Sequence, residues 1–576
     1  MNRMGTLLLA LLLLHTPLWA APGPRLGLHI AETATLGQYR NHLDAALGLG
    51  VRVARVPVDW AALAPDPDTV DTAYRDEVVG RVLHAQANGQ QVIMMLAQSP
   101  AWASGADDPA APPTPAHYAD FGRAMADLHD TLLAAGVAPQ TVLAWEVWNE
   151  PNVEEFWPGR PVRDGAYVLL DVSAASEYAG LLTATWQVMQ ARHPGVRLLG
   201  GSLASADTAY LEALYAAFPP GVRPFHALSV HPYARVDVVN GPHYGLAQYP
   251  DQCNGLEDPL APPWCFKQGV ENLRAVLDRH GDADVGIWFT EFGVDSSSEW
   301  GGAGDEYQQA EHLERALDVL ADWARRGDLM RIPVATWYRL LDEGPDDLFG
   351  LLRADGSRKP VADALRNRLD AQGRLIVGPA PPRVVTPAEG GRVNPGRITL
   401  RWVGTPGASN YYLRLEYPPG GATGDYGWDV SPQAAGCAEG LHCSWTVPVD
   451  VPAGDAAWRV SADYPDGRSA DGRWTEFHLA AGDPDPDADG HAGAGDNCPL
   501  LPNHDQRDSN GDGIGNACDA DFDGDGRVNF ADLAALRAAW TFPDADRDLD
   551  GSGLVTLSDL DTLRRLFLGG PGSGDW

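Results

Sequence analysis

The chain holds 576 residues, 44 % of them hydrophobic, and carries a formal charge of −36. That length exceeds what one core supports, so two to four domains are expected. The acidic balance argues against nucleic acid as a partner, because phosphate backbones demand a basic surface and none is visible.

Residues 1–20 carry Arg3, the apolar run 7–14 and an exit that ends in Ala20, the pattern of a secretory signal peptide. A secreted, extracellular protein is the expectation. No later stretch approaches the roughly 20 unbroken apolar residues of a membrane helix, so no membrane span is predicted.

Residues 22–372 alternate short apolar runs with amphipathic helical stretches. The runs are LGLHI (26–30), VRVARV (51–56), QVIMML (91–96), VLAWEVWN (142–149), VRLLGG (196–201), FHALSVH (225–231), VGIWFT (285–290) and PVATWY (333–338). Between the first two runs Leu36, Tyr39, Leu43 and Leu47 keep helical spacing, and Val78, Val82 and Leu83 do so after the second. Apolar strands that each lead into a helix are what a parallel sheet covered on both faces requires. Eight such units predict an α/β fold of the (β/α)8 TIM-barrel type. The competing open doubly wound sheet usually has fewer strands and places a Gly-rich loop after its first one. No such loop follows Ile30.

Residues 380–480 change character. Pro and Gly turns separate the β-rich runs ITLRWV (398–403), YYLRLEY (411–417), CSWTVPV (443–449) and AWRVSADY (457–464), which predict a β-sandwich. The module resembles a fibronectin type III or immunoglobulin-like domain, and a spacer role is expected of it.

The tail from residue 481 holds 20 Asp, no Glu and 6 Arg, a net charge of −14. Solubility alone would use Glu as freely as Asp, so this bias points to short oxygen ligands and to calcium. Asp521, Asp523, Asp525, Asn529 and Asp532 occupy positions 1, 3, 5, 9 and 12 of a calcium loop, with Gly526 at its sharp turn. Asp548, Asp550, Ser552, Thr556 and Asp559 repeat the pattern around Gly553. Helices are predicted over 531–539 and 558–567. The six cysteines lie in near pairs, Cys253 with Cys265, Cys437 with Cys443 and Cys498 with Cys518. Six cysteines allow 15 connectivities, and local pairing is the one an exported chain favours.

In a barrel of this type the residues at the carboxyl ends of the strands are placed for chemistry. Here these are His29, Arg55, Asn149 with Glu150, His231 with Tyr233, Glu291, and Trp337. Two strands end in an acid: WEVWNEPN (145–152) presents Glu150 before Pro151, and IWFTEFG (287–293) presents Glu291. Glu146 shares strand parity with Glu150 but lies deeper, where a buried partner for an arginine is expected. Aromatic rings on the long connection 234–268 (Tyr244, Tyr249, Trp264, Phe266) and on other loops (Trp102, Trp157, Trp300) are candidate platforms for sugar faces.

WNEP on the fourth strand, HPY on the sixth, TEFG on the seventh and a Trp ending the eighth occur in an order that resembles a clan A retaining glycoside hydrolase, in particular glycoside hydrolase family 39. The resemblance spans residues 25–369. It implies hydrolysis of O-glycosidic bonds in a polysaccharide or oligosaccharide, with Glu150 as acid/base, Glu291 as nucleophile and no cofactor for catalysis. It further implies that Arg55 and Tyr233 donate to the nucleophile and that Asn149 holds the sugar hydroxyl beside the reacting carbon. His29, His231, Trp337 and Trp102 complete the expected substrate contacts. The chemistry asks for two carboxyl groups about 5 to 5.5 Å apart whose pKa values are pushed in opposite directions. A non-catalytic carbohydrate-binding or adhesion protein on the same barrel is the alternative.

The two loops of residues 519–570 resemble a type I dockerin, which implies a cohesin-like partner. Positions 10 and 11, Phe530 with Ala531 and Leu557 with Ser558, depart from the paired small hydroxyls of cellulosomal dockerins. Residues 481–518 resemble a thrombospondin type 3 repeat. That resemblance implies Asp508, Asn510 and Asp512 as calcium ligands, and Asp485, Asp487 and Asp489 in a shorter copy.

Overall fold

The computed structural model describes residues 22–567 other than 31–34, 164–168, 235–248, 252–264, 298–302, 304–305, 327–329, 345–346, 379–381, 389, 406, 421–422, 438–441, 466–468, 473, 483, 488, 490, 502, 504–505 and 551–553. The expectations for the signal peptide, Tyr244, Cys253, Trp264, Trp300, Ser552 and Gly553 lie outside the described residues. The chain divides into two compact units, Met1–Val377 and Gly378–Trp576.

In the first unit eight parallel strands close into a barrel in chain order. They are β1 (Arg25–His29), β2 (Val53–Asp59), β3 (Gln91–Ala97), β4 (Val142–Val147), β5 (Leu198–Ala204), β6 (Ala227–His231), β7 (Gly286–Phe292) and β8 (Val334–Trp337). Each falls on one of the eight apolar runs, and helices lie between them, so the TIM barrel is as expected. The helix Tyr118–Ala134 shows the packing logic: it buries Tyr118, Phe121, Met125, Leu128 and Leu132, one stripe at helical spacing, and turns its polar face outward. No helix among the described residues is long and apolar enough to cross a membrane.

The barrel interior changes chemistry along the strands. Val53, Ile93, Ala144, Leu199, Ala227, Trp288 and Val334, one from each of β2 to β8, pack into an apolar cluster. Two residues further on, the same inward parity brings in Arg55, Glu146, Ser229, Thr290 and Thr336, all wholly buried. An apolar floor therefore carries a polar layer, and only mutual pairing makes such a layer tolerable.

The second unit holds β9 (Arg383–Thr386), β10 (Arg392–Val393), β11 (Thr399–Val403), β12 (Asn410–Tyr417), β13 (Gly424–Val430), β14 (His442–Thr446), β15 (Gly454–Asp463), β16 (Ser469–Asp471) and β17 (Thr475–Leu479). One sheet has the order β14-β11-β9, the other β10-β17-β15-β12-β13 with β16 beside β15. Both close on a core that includes Leu400, Trp402, Leu413, Leu415, Trp458, Val460 and Phe477. The four β-rich runs became β11, β12, β14 and β15. β13, whose sequence GDYGWDV contains two glycines and two aspartates, was not foreseen, because its place is set by pairing with β12 from Tyr411↔Val430 to Tyr417↔Gly424.

A third cluster, with Val528, Leu536, Leu549, Val555 and Leu563 at its centre, joins the helices Phe530–Ala538 and Leu557–Leu566. Cys437 pairs with Cys443 and Cys498 with Cys518. Cys265 is also disulfide-bonded.

Candidate active site

The strand ends of the barrel meet around one guanidinium. The β1–β2 register sets His29 directly beside Arg55. Arg55 Nε donates to Glu146 Oε2 at 2.7 Å, one terminal nitrogen donates to Glu291, and the other donates to Asn149 Oδ1 at 2.9 Å. His29 Nδ1 lies 3.3 Å from the same side chain. A planar fork of fixed N–H groups suits this task better than an ammonium would.

Glu291 is 7 % exposed. Its second oxygen accepts a hydrogen bond from the Tyr233 hydroxyl at 2.8 Å. Burial pushes the Glu291 carboxyl up, but His231, Arg55 and the Tyr233 hydroxyl outweigh it and hold the group down at about 2. Burial takes the His29 imidazole down to about 3 against the pull of Glu291, so it stays neutral beside Arg55 at ordinary pH.

Glu291 enters the mouth through an irregularity. Thr290 has the inward parity of Trp288, so in a regular strand Glu291 would point outward. The β7–β8 register shifts between Phe289 and Phe292, and that bulge lets consecutive residues both face the interior.

Glu150 sits three residues beyond β4 on a contorted turn. Trp148 and Glu150 have φ of 69° and 43°. Each such conformation costs on the order of 1–3 kcal/mol in a residue with a side chain. It is held by hydrogen bonds from Trp148 N to Leu96 O and from Glu150 N to Ser202 O, both 2.9 Å. Glu150 Oε1 then lies 2.7 Å from His231 Nδ1. His231 Nε2 is 3.1 Å from Thr290 Oγ1, and that hydroxyl donates to Glu146 Oε1 at 2.6 Å. Burial pulls the His231 imidazole down, but Glu291 and Glu150 outweigh it and hold it above its ordinary range. One oxygen of Glu150, one of Glu291 and a His231 nitrogen all lie within 4.8 Å of one another.

Several expected roles change. Arg55 and His231 are wholly buried and His29 is 5 % exposed, each turned onto a carboxylate or onto Arg55. Arg55 donates to Glu291, whereas the two histidines sit on Glu150 and on Arg55 where substrate contact was expected of them. Trp337 is 1 % exposed, packs edge-on against Phe292 and donates Nε1–H to Phe349 O, so it offers no face to a sugar. The reason is parity: Thr336 fills the interior, which turns Trp337 outward to the helix layer. Trp157 is fully buried as well. Trp102 remains half-buried, donating Nε1–H to Ala64 O and wedged between Trp60 and His117. Tyr338 is half-buried at this mouth, its ring centroid 5.0 Å from that of His29. Sequence reasoning passed over Tyr338 and Thr290; the two-residue spacing from Trp288 was a signal for Thr290, whereas nothing in the sequence marks Tyr338.

The tail gathers its acids as the loop pattern implies. Asp521, Asp523 and Asp532 form one group, Asp548, Asp550 and Asp559 a second, and Asp485, Asp487 and Asp489 a third. Asp521 is fixed by backbone N–H groups of Asp525 and Gly526, and Asp532 by those of Phe522 and Asn529. Burial, reinforced by Asp550 and Asp548, pushes Asp559 far above the usual carboxylate range. Burial with Asp489 and Asp496 beside it pushes Asp487 up to about 8, and the Asp489 backbone N–H offsets this only in part. Asp487 is 2 % exposed and neither oxygen makes a hydrogen bond of normal geometry. Buried like charges of this kind fit a divalent cation held by oxygen. Asp508, Asn510 and Asp512 form a turn in which Gly511, Gly513 and Asp512 N–H groups point at side-chain oxygens.

The thrombospondin type 3 repeat family model matches residues 507–536. That span crosses the boundary expected at 518, and the two sides are joined in the structure: Arg507 reaches Asp548, and Ser509 and Asn516 bond Ala545 O. No curated protein matches the chain. Among solved structures it is similar to a family 39 glycoside hydrolase from Bacteroides cellulosilyticus WH2, with 18 % identity, 75 % of this chain and 81 % of that one covered, and a TM-score of 0.45. It is also similar to a monomeric beta-xylosidase from Caulobacter crescentus CB15, with 16 % identity, 80 % and 98 % covered, and a TM-score of 0.44. For an endo-beta-1,4-mannanase from Thermotoga petrophila the values are 13 %, 80 %, 99 % and 0.42.

Proposed function

We propose that the protein is a secreted retaining glycoside hydrolase that cleaves O-glycosidic bonds in a polysaccharide or oligosaccharide by double displacement. The observation that carries this reading is the pair of glutamates at the barrel mouth, with an oxygen of each within 4.8 Å. Retention needs carboxyl groups about 5–5.5 Å apart, whereas inversion needs roughly 6.5–9.5 Å to admit a water. Glu291, held ionised, attacks the anomeric carbon as Glu150 protonates the departing oxygen. Glu150 then takes a proton from the water that releases the sugar from Glu291. Asn149, its Oδ1 occupied by Arg55 at 2.9 Å, turns its amide N–H groups to the neighbouring sugar hydroxyl.

Calcium in the tail belongs to the same reading. Asp521, Asp523, Asp525, Asn529 and Asp532 would hold one ion, and Asp548, Asp550, Thr556 and Asp559 another. Asp485, Asp487 and Asp489 would hold a third. Bound calcium supplies the positive charge these buried carboxylates lack and has no part in hydrolysis. The dockerin-like loops, with Phe530 76 % exposed, would present a face to a cohesin-like partner. Export accords with the disulfides.

The test is Glu291→Ala, assayed on polysaccharides and aryl glycosides. Turnover should fall roughly 10⁴-fold or more, and NMR of the first sugar released by the wild type should show the anomer of the substrate. Unchanged turnover would reject the assignment of Glu291, and an inverted product would reject double displacement. A glycan array probed with Glu150→Gln would find the substrate.

A further inference from the structure

The proposed acid/base is the end of a buried chain of hydrogen bonds. We infer that Thr290, oriented by Glu146, is a positioning residue that keeps the His231 proton on Nε2, so that His231 Nδ1 and Glu150 share a single proton. The catalytic consequence rests on the glycosidase reading above; the claim about the imidazole rests on geometry alone.

A threonine hydroxyl has one hydrogen. Thr290 Oγ1 lies 2.6 Å from Glu146 Oε1 and 3.1 Å from His231 Nε2. The other oxygen of Glu146 takes Arg55 Nε at 2.7 Å, in an ion pair with both side chains fully buried. A carboxylate so paired can only accept, so the threonine hydrogen points at Glu146 and its lone pairs face the ring. His231 Nε2 must then carry a hydrogen. What remains is Nδ1, 2.7 Å from Glu150 Oε1. Two acceptors would repel at that distance, so a proton lies between them, either as imidazolium with carboxylate or as imidazole with carboxylic acid.

Among the described residues, the other charged and titratable groups that act on the ring are Glu291 on β7, whose oxygen is 3.6 Å from Nδ1, Arg55 on β2 and His29 on β1, and Tyr233 reaches it only through its hydrogen bond to Glu291. The two carboxylates hold the shared proton in place and Arg55 opposes it. His231 has no solvent exposure, so bulk water does not reach Nε2. Loss of the shared proton would leave the Nδ1 lone pair facing the carboxylate of Glu150 at 2.7 Å, so the proton is held between them. Without the Thr290 hydroxyl, the neutral ring can move its hydrogen to Nδ1 and donate to ionised Glu150, which favours early loss of the acid.

The experiment compares full-length wild type, Thr290→Val and Thr290→Ser. In 15N spectra of histidine-labelled protein, Nε2 of His231 should stay protonated from mildly acidic to alkaline pH in the wild type and the serine variant. In Thr290→Val the neutral ring should carry its hydrogen on Nδ1. The alkaline limb of kcat/KM should fall by about one pH unit in the valine variant, a loss of about tenfold above the limb, and return with serine. A residue that served packing alone would lower kcat without moving the limb. A neutral wild-type ring protonated on Nδ1 overturns the proposal, and this measurement needs no variant to fold. If no glycoside is cleaved, the glycosidase reading fails while the tautomer can still be read. If glycosides are cleaved and the valine limb does not move, this proposal fails alone.

Discussion

Removing the Tyr233 hydroxyl tests how Glu291 is kept charged. Tyr233→Phe retains the ring, which packs nearly perpendicular to Phe349 at 6.2 Å between centroids, and deletes one donor 2.8 Å from Glu291 Oε2. A hydrogen bond to a charged group contributes about 1.5–3 kcal/mol, and one pKa unit is about 1.4 kcal/mol. Glu291 should therefore rise from about 2 by roughly one to two units, because His231 and Arg55 remain. Its carboxyl sits below the ordinary value of 4.5, so its contribution to stability is present above that value and lost as pH falls toward 2. The variant should lose about 2 kcal/mol against urea at neutral pH, and the deficit should shrink in acid. The acid limb of kcat/KM should move up by the same one to two units. If neither the neutral stability nor the acid limb changes, the account of Glu291 is refuted.

Three further outcomes are expected. Chelation of calcium should abolish the protease resistance of residues 481–567 and leave hydrolysis unchanged; a tail that resists protease equally well in chelator speaks against the ion sites. Gly293→Ala would place a methyl group 2.6 Å from the Tyr338 carbonyl oxygen, which belongs to backbone and cannot turn away. It should cost about 1–3 kcal/mol and depress kcat by shifting Glu291 and Tyr338, and wild-type kcat with an unchanged Tm would contradict this. Trp402→Ala, at a position 1 % exposed in the sandwich core, should cost the second unit about 3–5 kcal/mol. Activity of the barrel should persist, since every residue of the candidate site comes from the first unit; parallel loss of activity on mild warming would argue otherwise.

The barrel was legible because its strands are mostly apolar runs, each followed by a helical stretch, a pattern that is local to the chain even though single polar residues such as Arg55 and Glu146 interrupt it. The two candidate glutamates were legible in position, because an acid at the end of a buried run lies near the rim of the barrel; that Glu291 faces the mouth was decided by the β7–β8 irregularity. The strands of the second unit were only partly so. β13 has few apolar residues, and its strand conformation comes from its partner β12, with which it pairs at seven positions from Tyr417↔Gly424 to Tyr411↔Val430.

Sequence alone determined the eightfold alternation, the two glutamates and the Asp pattern of the tail, since each depends on local spacing and residue type. Tertiary structure decided what the other site residues do. Whether His231 meets a sugar or a carboxylate depends on where the closed barrel brings the turn after β4. Whether Trp337 faces the mouth depends on inward or outward parity at the end of β8. The contact of Thr290 with both Glu146 and His231 exists only because three strands far apart in the chain end at one height. Hydrogen bonds act over about 3 Å, and no spacing along a chain specifies a distance that short across a barrel.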